Sequence, residues 1–171
     1  MRHMHTNAES PRRAAGRAMR NARGFTMIEM LVVVAIVALL ARIAMPYYSY
    51  YVQRAHLSEA VATLSGQRVK MEQYYQDNGN YGNNGGCGVV MPTVASGAVT
   101  YFTYVCAATS SSGGAIDDGY TITATGNAAQ NMTGFVYTID QLNNRTSNIT
   151  ASGWHNPAPN VCWAMRKDGS C

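Results

Sequence analysis

Between Glu29 and Arg54 the chain carries one charged side chain, Arg42, and every position from Met30 to Ala41 is apolar. Residues 25–41 make about 25 Å of helix at ~1.5 Å per residue, slightly short of a hydrocarbon core of roughly 30 Å. Extending the span through Met45 closes the difference, with Arg42 snorkelling or finding an acidic partner. Pro46 is expected to kink the helix, because its ring removes a hydrogen bond and crowds the preceding turn. Tyr47, Tyr48, Tyr50 and Tyr51 then fall where an interfacial aromatic belt or packing within a domain is expected. Beyond them the pattern changes period. Leu57, Val61, Leu64, Met71 and Tyr75 recur on one helical face, while Arg54, Glu59, Gln67, Lys70 and Glu72 fall mostly off it. This amphipathic half is expected to lie against a sheet and to stop at 77–80, with Gly79 as its cap.

After the helix the spacing turns to alternation. Residues 81–86 read as a flexible connection rich in Gly and Asn. Strands are expected at 99–107, 120–125 and 135–140, with a Ser/Gly loop at 109–114. A turn at 141–144 leads into a return strand around 146–150. Strands at this spacing without intervening helices predict an antiparallel sheet. The fold class is therefore α+β: a long N-terminal helix packed on a small antiparallel sheet.

Charge changes the picture at the N-terminus. Arg2, Arg12, Arg13, Arg17, Arg20 and Arg23 precede the apolar span, with only Glu9 opposing them. The positive-inside rule places that end in the cytoplasm and the bulk of the chain outside. No Ala-x-Ala site directly follows the span, so any cut is expected before it, leaving the helix on the mature protein. The whole chain holds 13 bases and 9 acids, net +4. Residues 1–24 take six arginines and one glutamate, which leaves seven bases against eight acids, net −1, and weakens any argument from net charge to nucleic acid.

Four cysteines, Cys87, Cys106, Cys162 and Cys171, in an exported domain point to disulfides, with three possible pairings. Cys162 and Cys171 bracket a short segment whose Asp168-Gly169 turn could bring them together and tie down the terminus. Cys87 and Cys106 would then join the loop after the helix to the first strand. Zinc is the competing reading, but no Cys-x-x-Cys occurs and His56 and His155 lie in unrelated contexts, so no metal or other cofactor is expected. Asp117 and Asp118 read as a solvated turn. Sequons at Asn131, Asn144 and Asn148 read as strand and turn residues. No nucleophile elbow or other catalytic set is visible, which argues against an enzyme.

Gly24, Phe25, Thr26 and Glu29, followed by the apolar run to Pro46, resemble the N-terminus of a type IV pilin. The resemblance implies that a prepilin peptidase cuts between Gly24 and Phe25 and N-methylates the new Phe25 amine. It also implies that Glu29 assists assembly by meeting the N-terminal amine of a neighbouring subunit. Electrostatics agrees, because a nearby opposite charge favours the ionised form of a desolvated carboxylate. The plainer alternative is a capping box, Thr26 to Glu29, opening an ordinary anchor helix. Leaders resembling this one are short. Met19 would start a six-residue leader, so residues 1–18, with His3 and His5, read as an upstream extension or added sequence.

The 162–171 segment resembles the disulfide-bounded C-terminal loop of these pilins. Cys162-Trp163, with the Thr138-Ile139-Asp140 strand before it, resembles the small minor pilins more than a major subunit. The implied organisation is a basic leader at 1–24, a transmembrane and filament-core helix at 25–51, and a periplasmic or extracellular head at 52–171. The chain is expected as a single-pass protein of the bacterial inner membrane and then in an extracellular fibre. Its implied partners are other pilin subunits, the prepilin peptidase and the pilus assembly machinery. A structural fibre subunit is the first reading. A tip-located binding subunit for DNA uptake or adhesion is the alternative, with Arg166 and Lys167 as its binding loop, although a solvated basic turn is the default for two cations. A type II secretion pseudopilin is a third, against which the cysteine loop argues. Arg42 departs from the family's purely apolar stretch. It lies roughly 20 Å of helix beyond Glu29, too far to pair within one chain, so its expected partner is a neighbour's Glu29, for which it competes with a Phe25 amine, and snorkelling is the alternative.

Overall fold

A computed structural model describes residues 24–83, 86–110 and 117–171. Most of the leader, Met19 included, lies outside the described residues. A single helix, α1, runs from Met27 to Asn78 and continues through Pro46 in one helical run. It opens at Thr26, whose hydroxyl accepts the Glu29 amide hydrogen at 3.2 Å, satisfying one of the free donors of the first turn. The chain divides into two units at Ala41–Arg42. In the first, the apolar window of α1 has none of its residues buried and is long and apolar enough to cross a membrane. Phe25, at its start, is 72% exposed.

In the second unit α1 buries Leu57, Leu64 and Met71 of the predicted stripe, together with Ala60, while the predicted Val61 is only partly buried against the core. Two further positions differ from expectation. Gln67 completes the stripe between Leu64 and Met71 and is only 5% exposed. Tyr75 stays 41% exposed, because it lies on the rim and stacks on Tyr81 with ring centroids 4.6 Å apart. The helix ends as predicted at Gly79, which adopts a φ of 70° and donates its N–H to Tyr75 O at 2.8 Å.

The sheet is a six-stranded antiparallel meander in chain order: β1 Gly82–Asn83, β2 Gly86–Cys87, β3 Phe102–Thr109, β4 Gly119–Gly126, β5 Phe135–Asp140 and β6 Arg145–Ile149. Alternation places Phe102 and Tyr104, Ile122 and Ala124, and Phe135, Tyr137 and Ile139 on the buried face over α1. The segment read as a flexible connection instead carries the β1–β2 hairpin. It forms because Gly82 lacks a Cβ, which would collide with the Gly86 carbonyl, and because the Cys87–Cys106 disulfide joins it to β3. β3 also starts three residues later than predicted. The amides of Thr100, Tyr101 and Phe102 are taken by the Glu59 carboxylate, at 2.8, 2.9 and 3.1 Å.

A second helix carboxylate ties the far end of α1 to the sheet. Glu72 accepts the hydroxyls of Tyr81 at 3.0 Å and Tyr120 at 3.2 Å. Burial, reinforced by the Glu72 hydrogen bond, pushes the Tyr81 hydroxyl up to about 12, and burial beside Glu72 raises Tyr120 as well. The folded state thus holds these protons more tightly than the unfolded chain. Their contribution is complete below the ordinary tyrosine pKa of about 10 and is lost as pH rises from there. Alkaline titration is expected to unfold the second unit between about pH 10 and 12, read by circular dichroism, and Glu72→Gln is expected to weaken that pH dependence.

Candidate functional site

Beyond β6 the chain doubles back along the outer edge of the sheet, and side-chain amides replace a seventh strand. Asn160 accepts the Ser147 N–H at 2.9 Å and donates to its carbonyl at 2.8 Å. Asn156 makes the same pair of bonds with Ile149, at 2.6 and 3.2 Å. An open strand edge is thereby blocked. The next residues lock inward. Trp163 Nε1 donates to Thr138 O at 2.8 Å, the buried Tyr137 hydroxyl donates to Ala164 O at 2.7 Å, and Ser147 Oγ bonds both Cys162 O and Ala164 N.

From this anchor the chain turns back on itself within the Cys162–Cys171 disulfide. Gly169 N donates to Arg166 O at 3.0 Å, and Met165 N to Ser170 O at 2.9 Å. Gly169 has a φ of 83°, and a Cβ there would press on the Asn156 carbonyl, so this turn requires glycine. The backbone N–H and hydroxyl of Ser170 both bond Asp168 Oδ1, holding that carboxyl below the usual aspartate range, with Arg166 adding to the effect. The His155 amide holds the Lys167 carbonyl at 3.0 Å.

The two basic residues of the sequence-predicted loop, Arg166 and Lys167, are thus exposed on a turn bonded at every side. They share a cleft of about 620 Å³ with Asp168, Tyr47, Tyr50 and Tyr51. Lys167 Nζ lies 5.3 Å from the Tyr50 ring centroid, and Tyr50 in turn leans on the buried Trp154 at 5.7 Å. Chemically the cleft offers two cations on a closed turn and exposed aromatic faces, which suits an anionic polymer that also carries flat rings. Asp168 subtracts one charge.

Sequence reasoning assigned Tyr47, Tyr50 and Tyr51 to a belt or to packing and did not connect them with the loop, which is more than a hundred residues away. It also overlooked Arg145, whose guanidinium covers the Trp163 ring at 4.8 Å and bonds Asn143 Oδ1. Asp117, expected in a solvated turn, is 5% exposed. His56, considered only as a metal ligand, stacks on Tyr101 with centroids 3.5 Å apart. No cluster able to hold a metal ion occurs among the described residues. All four cysteines are disulfide-bonded, in the pairs 87–106 and 162–171.

Residues 46–134 match the model of the family described as type IV minor pilin ComP, DNA uptake sequence receptor, and residues 19–44 match the prokaryotic N-terminal methylation motif. The chain is 39% identical over 90 residues to the type IV major pilin protein PilE1 of Neisseria gonorrhoeae, covering 46% of this chain and 42% of that one. It is 41% identical over 76 residues to a fimbrial protein of Neisseria meningitidis serogroup B, covering 44% of this chain and 45% of that one. The chain therefore spans less than half the length of these relatives. Among solved structures, the non-core minor pilin PilV of Neisseria meningitidis superposes with a TM-score of 0.43 at 19% identity, covering 60% of this chain and 92% of that one.

Proposed function

The chain belongs to the type IV minor pilin ComP, DNA uptake sequence receptor, family, and from that premise we propose that its head binds DNA through the C-terminal basic loop. The reading includes cleavage between Gly24 and Phe25 by a prepilin peptidase and N-methylation of Phe25. It also includes insertion with the arginine-rich end inside, a kink of α1 at Pro46 and assembly through Glu29, which meets a neighbour's N-terminal amine. The observation that carries DNA binding is the closed turn that sets Arg166 and Lys167 beside the tyrosines of one cleft. On a mature chain of net −1 this is local charge, so recognition rests on the geometry of the loop and not on a bulk positive field.

The test is DNA binding by the full chain in detergent, measured against salt concentration. Replacing both cations by Arg166→Ala and Lys167→Ala is expected to weaken binding at low salt by about tenfold and to flatten the salt dependence by about two counterions. Absence of binding by the unaltered chain at low salt would remove the proposal. Unchanged affinity in the double variant would move the site elsewhere on the head.

A further inference from the structure

Two opposite charges sit on the exposed apolar stretch of α1. Ile28, Leu31, Val34, Leu39, Leu40 and Ile43 are all more than half exposed, so these side chains await cover from something outside the chain. Glu29 and Arg42 are the only charges in that stretch, thirteen residues apart, and among the described residues neither side chain has an ion-pair partner. In a bilayer Arg42 can snorkel toward the headgroups. Once neighbouring helices replace lipid around it that escape is closed, and an uncompensated buried charge is costly.

We infer that Arg42 is a second assembly contact, pairing with the carboxylate at the position of Glu29 on the helix of a neighbouring pilus subunit. The inference rests on the pilin reading above. All subunits enter the membrane with the same end inside, so their helices run parallel. For parallel helices the pairing fixes a stagger of thirteen residues, about 20 Å along the axis. The contact is heterologous: it leaves Glu29 of one subunit and Arg42 of the other free to repeat it, and such contacts build open filaments when the rotation does not close. Glu29 has two oxygens and can accept a neighbour's Phe25 amine and an Arg42 guanidinium together.

The experiment places the photo-cross-linker p-benzoylphenylalanine at Leu39, one turn from Arg42 on the same face, and maps adducts in sheared fibres. Capture of a neighbouring subunit within the turn that carries its Glu29-equivalent acid is expected. Capture elsewhere along the helix, or on a head, overturns the pairing. In parallel, Arg42→Glu is expected to reduce the chain in fibres at least tenfold at an unchanged membrane level, while Arg42→Lys stays within twofold. Wild-type incorporation of Arg42→Glu overturns the inference. Absence of the unaltered chain from fibres would instead count against the pilin reading itself.

Discussion

Glu59→Ala is expected to lower the unfolding free energy of the head by about 3 kcal/mol, the largest effect of any single helix substitution outside the apolar core. Three consecutive backbone amides, Thr100, Tyr101 and Phe102, donate to this one carboxylate, and Tyr101 and Phe102 share Oε1. Hydrogen bonds to an ionised acceptor contribute about 1.5–3 kcal/mol each, but this site is half-buried and water recovers part of the loss. Phe102 is fully buried and opens β3, so its amide has the least access to replacement solvent. Glu59→Gln separates charge from shape. The retained oxygen can still serve two amides, while the new NH2 faces the third donor, so a loss smaller than that of Glu59→Ala is expected. Denaturant unfolding of the two variants checks the order, and equal stabilities of Glu59→Ala and the unaltered protein would reduce the contact to a surface bond.

Paired replacement of Cys162 and Cys171 by serine is expected to cost about 2–3 kcal/mol, from the entropy of a closed loop of about ten residues. The functional consequence is separate from stability. Trp163 and Ala164 remain fastened by Thr138, Tyr137 and Ser147, so the anchor should survive. The turn beyond it, held by Met165–Ser170 and Arg166–Gly169 bonds, loses its covalent closure. Arg166 and Lys167 would then be presented with more freedom, and DNA affinity should fall while the salt dependence keeps its slope, because both cations are still present. A slope that falls with affinity would mean that the disulfide changes which cations reach the DNA.

The helix and most of the sheet were legible because their periods are. A run with one charge in more than twenty residues cannot be a solvated segment, and the large Phe135, Tyr137 and Ile139 alternate with the smaller Val136, Thr138 and Asp140 as a half-buried strand must. The pairing of the short Cys162–Cys171 segment was likewise suggested by its own turn. Illegible were the features that depend on long-range partners. Glu59 and Glu72 read as solvated helix positions because periodicity reports a face and says nothing of what approaches its rim. The β1–β2 hairpin was hidden because its glycines signal looseness equally well, and only the crowding around Gly82 distinguishes the two.

The methylation motif that opens α1 needed no fold to be recognised. Its spacing of Gly24, Phe25 and Glu29 before an apolar run is local chemistry, and local chemistry survives in one dimension. The sequence by itself thus determined the anchoring helix, the amphipathic continuation and the antiparallel class of the head. Which residues share a surface was decided by the tertiary structure alone. Tyr47, Tyr50 and Tyr51 meet Arg166 and Lys167 because Asn156, Asn160 and Trp163 hold the returning chain against the sheet, and the disulfide turns it back toward α1. Contacts between residues so far apart in the chain are set by the summed packing of everything between them, which no local pattern records.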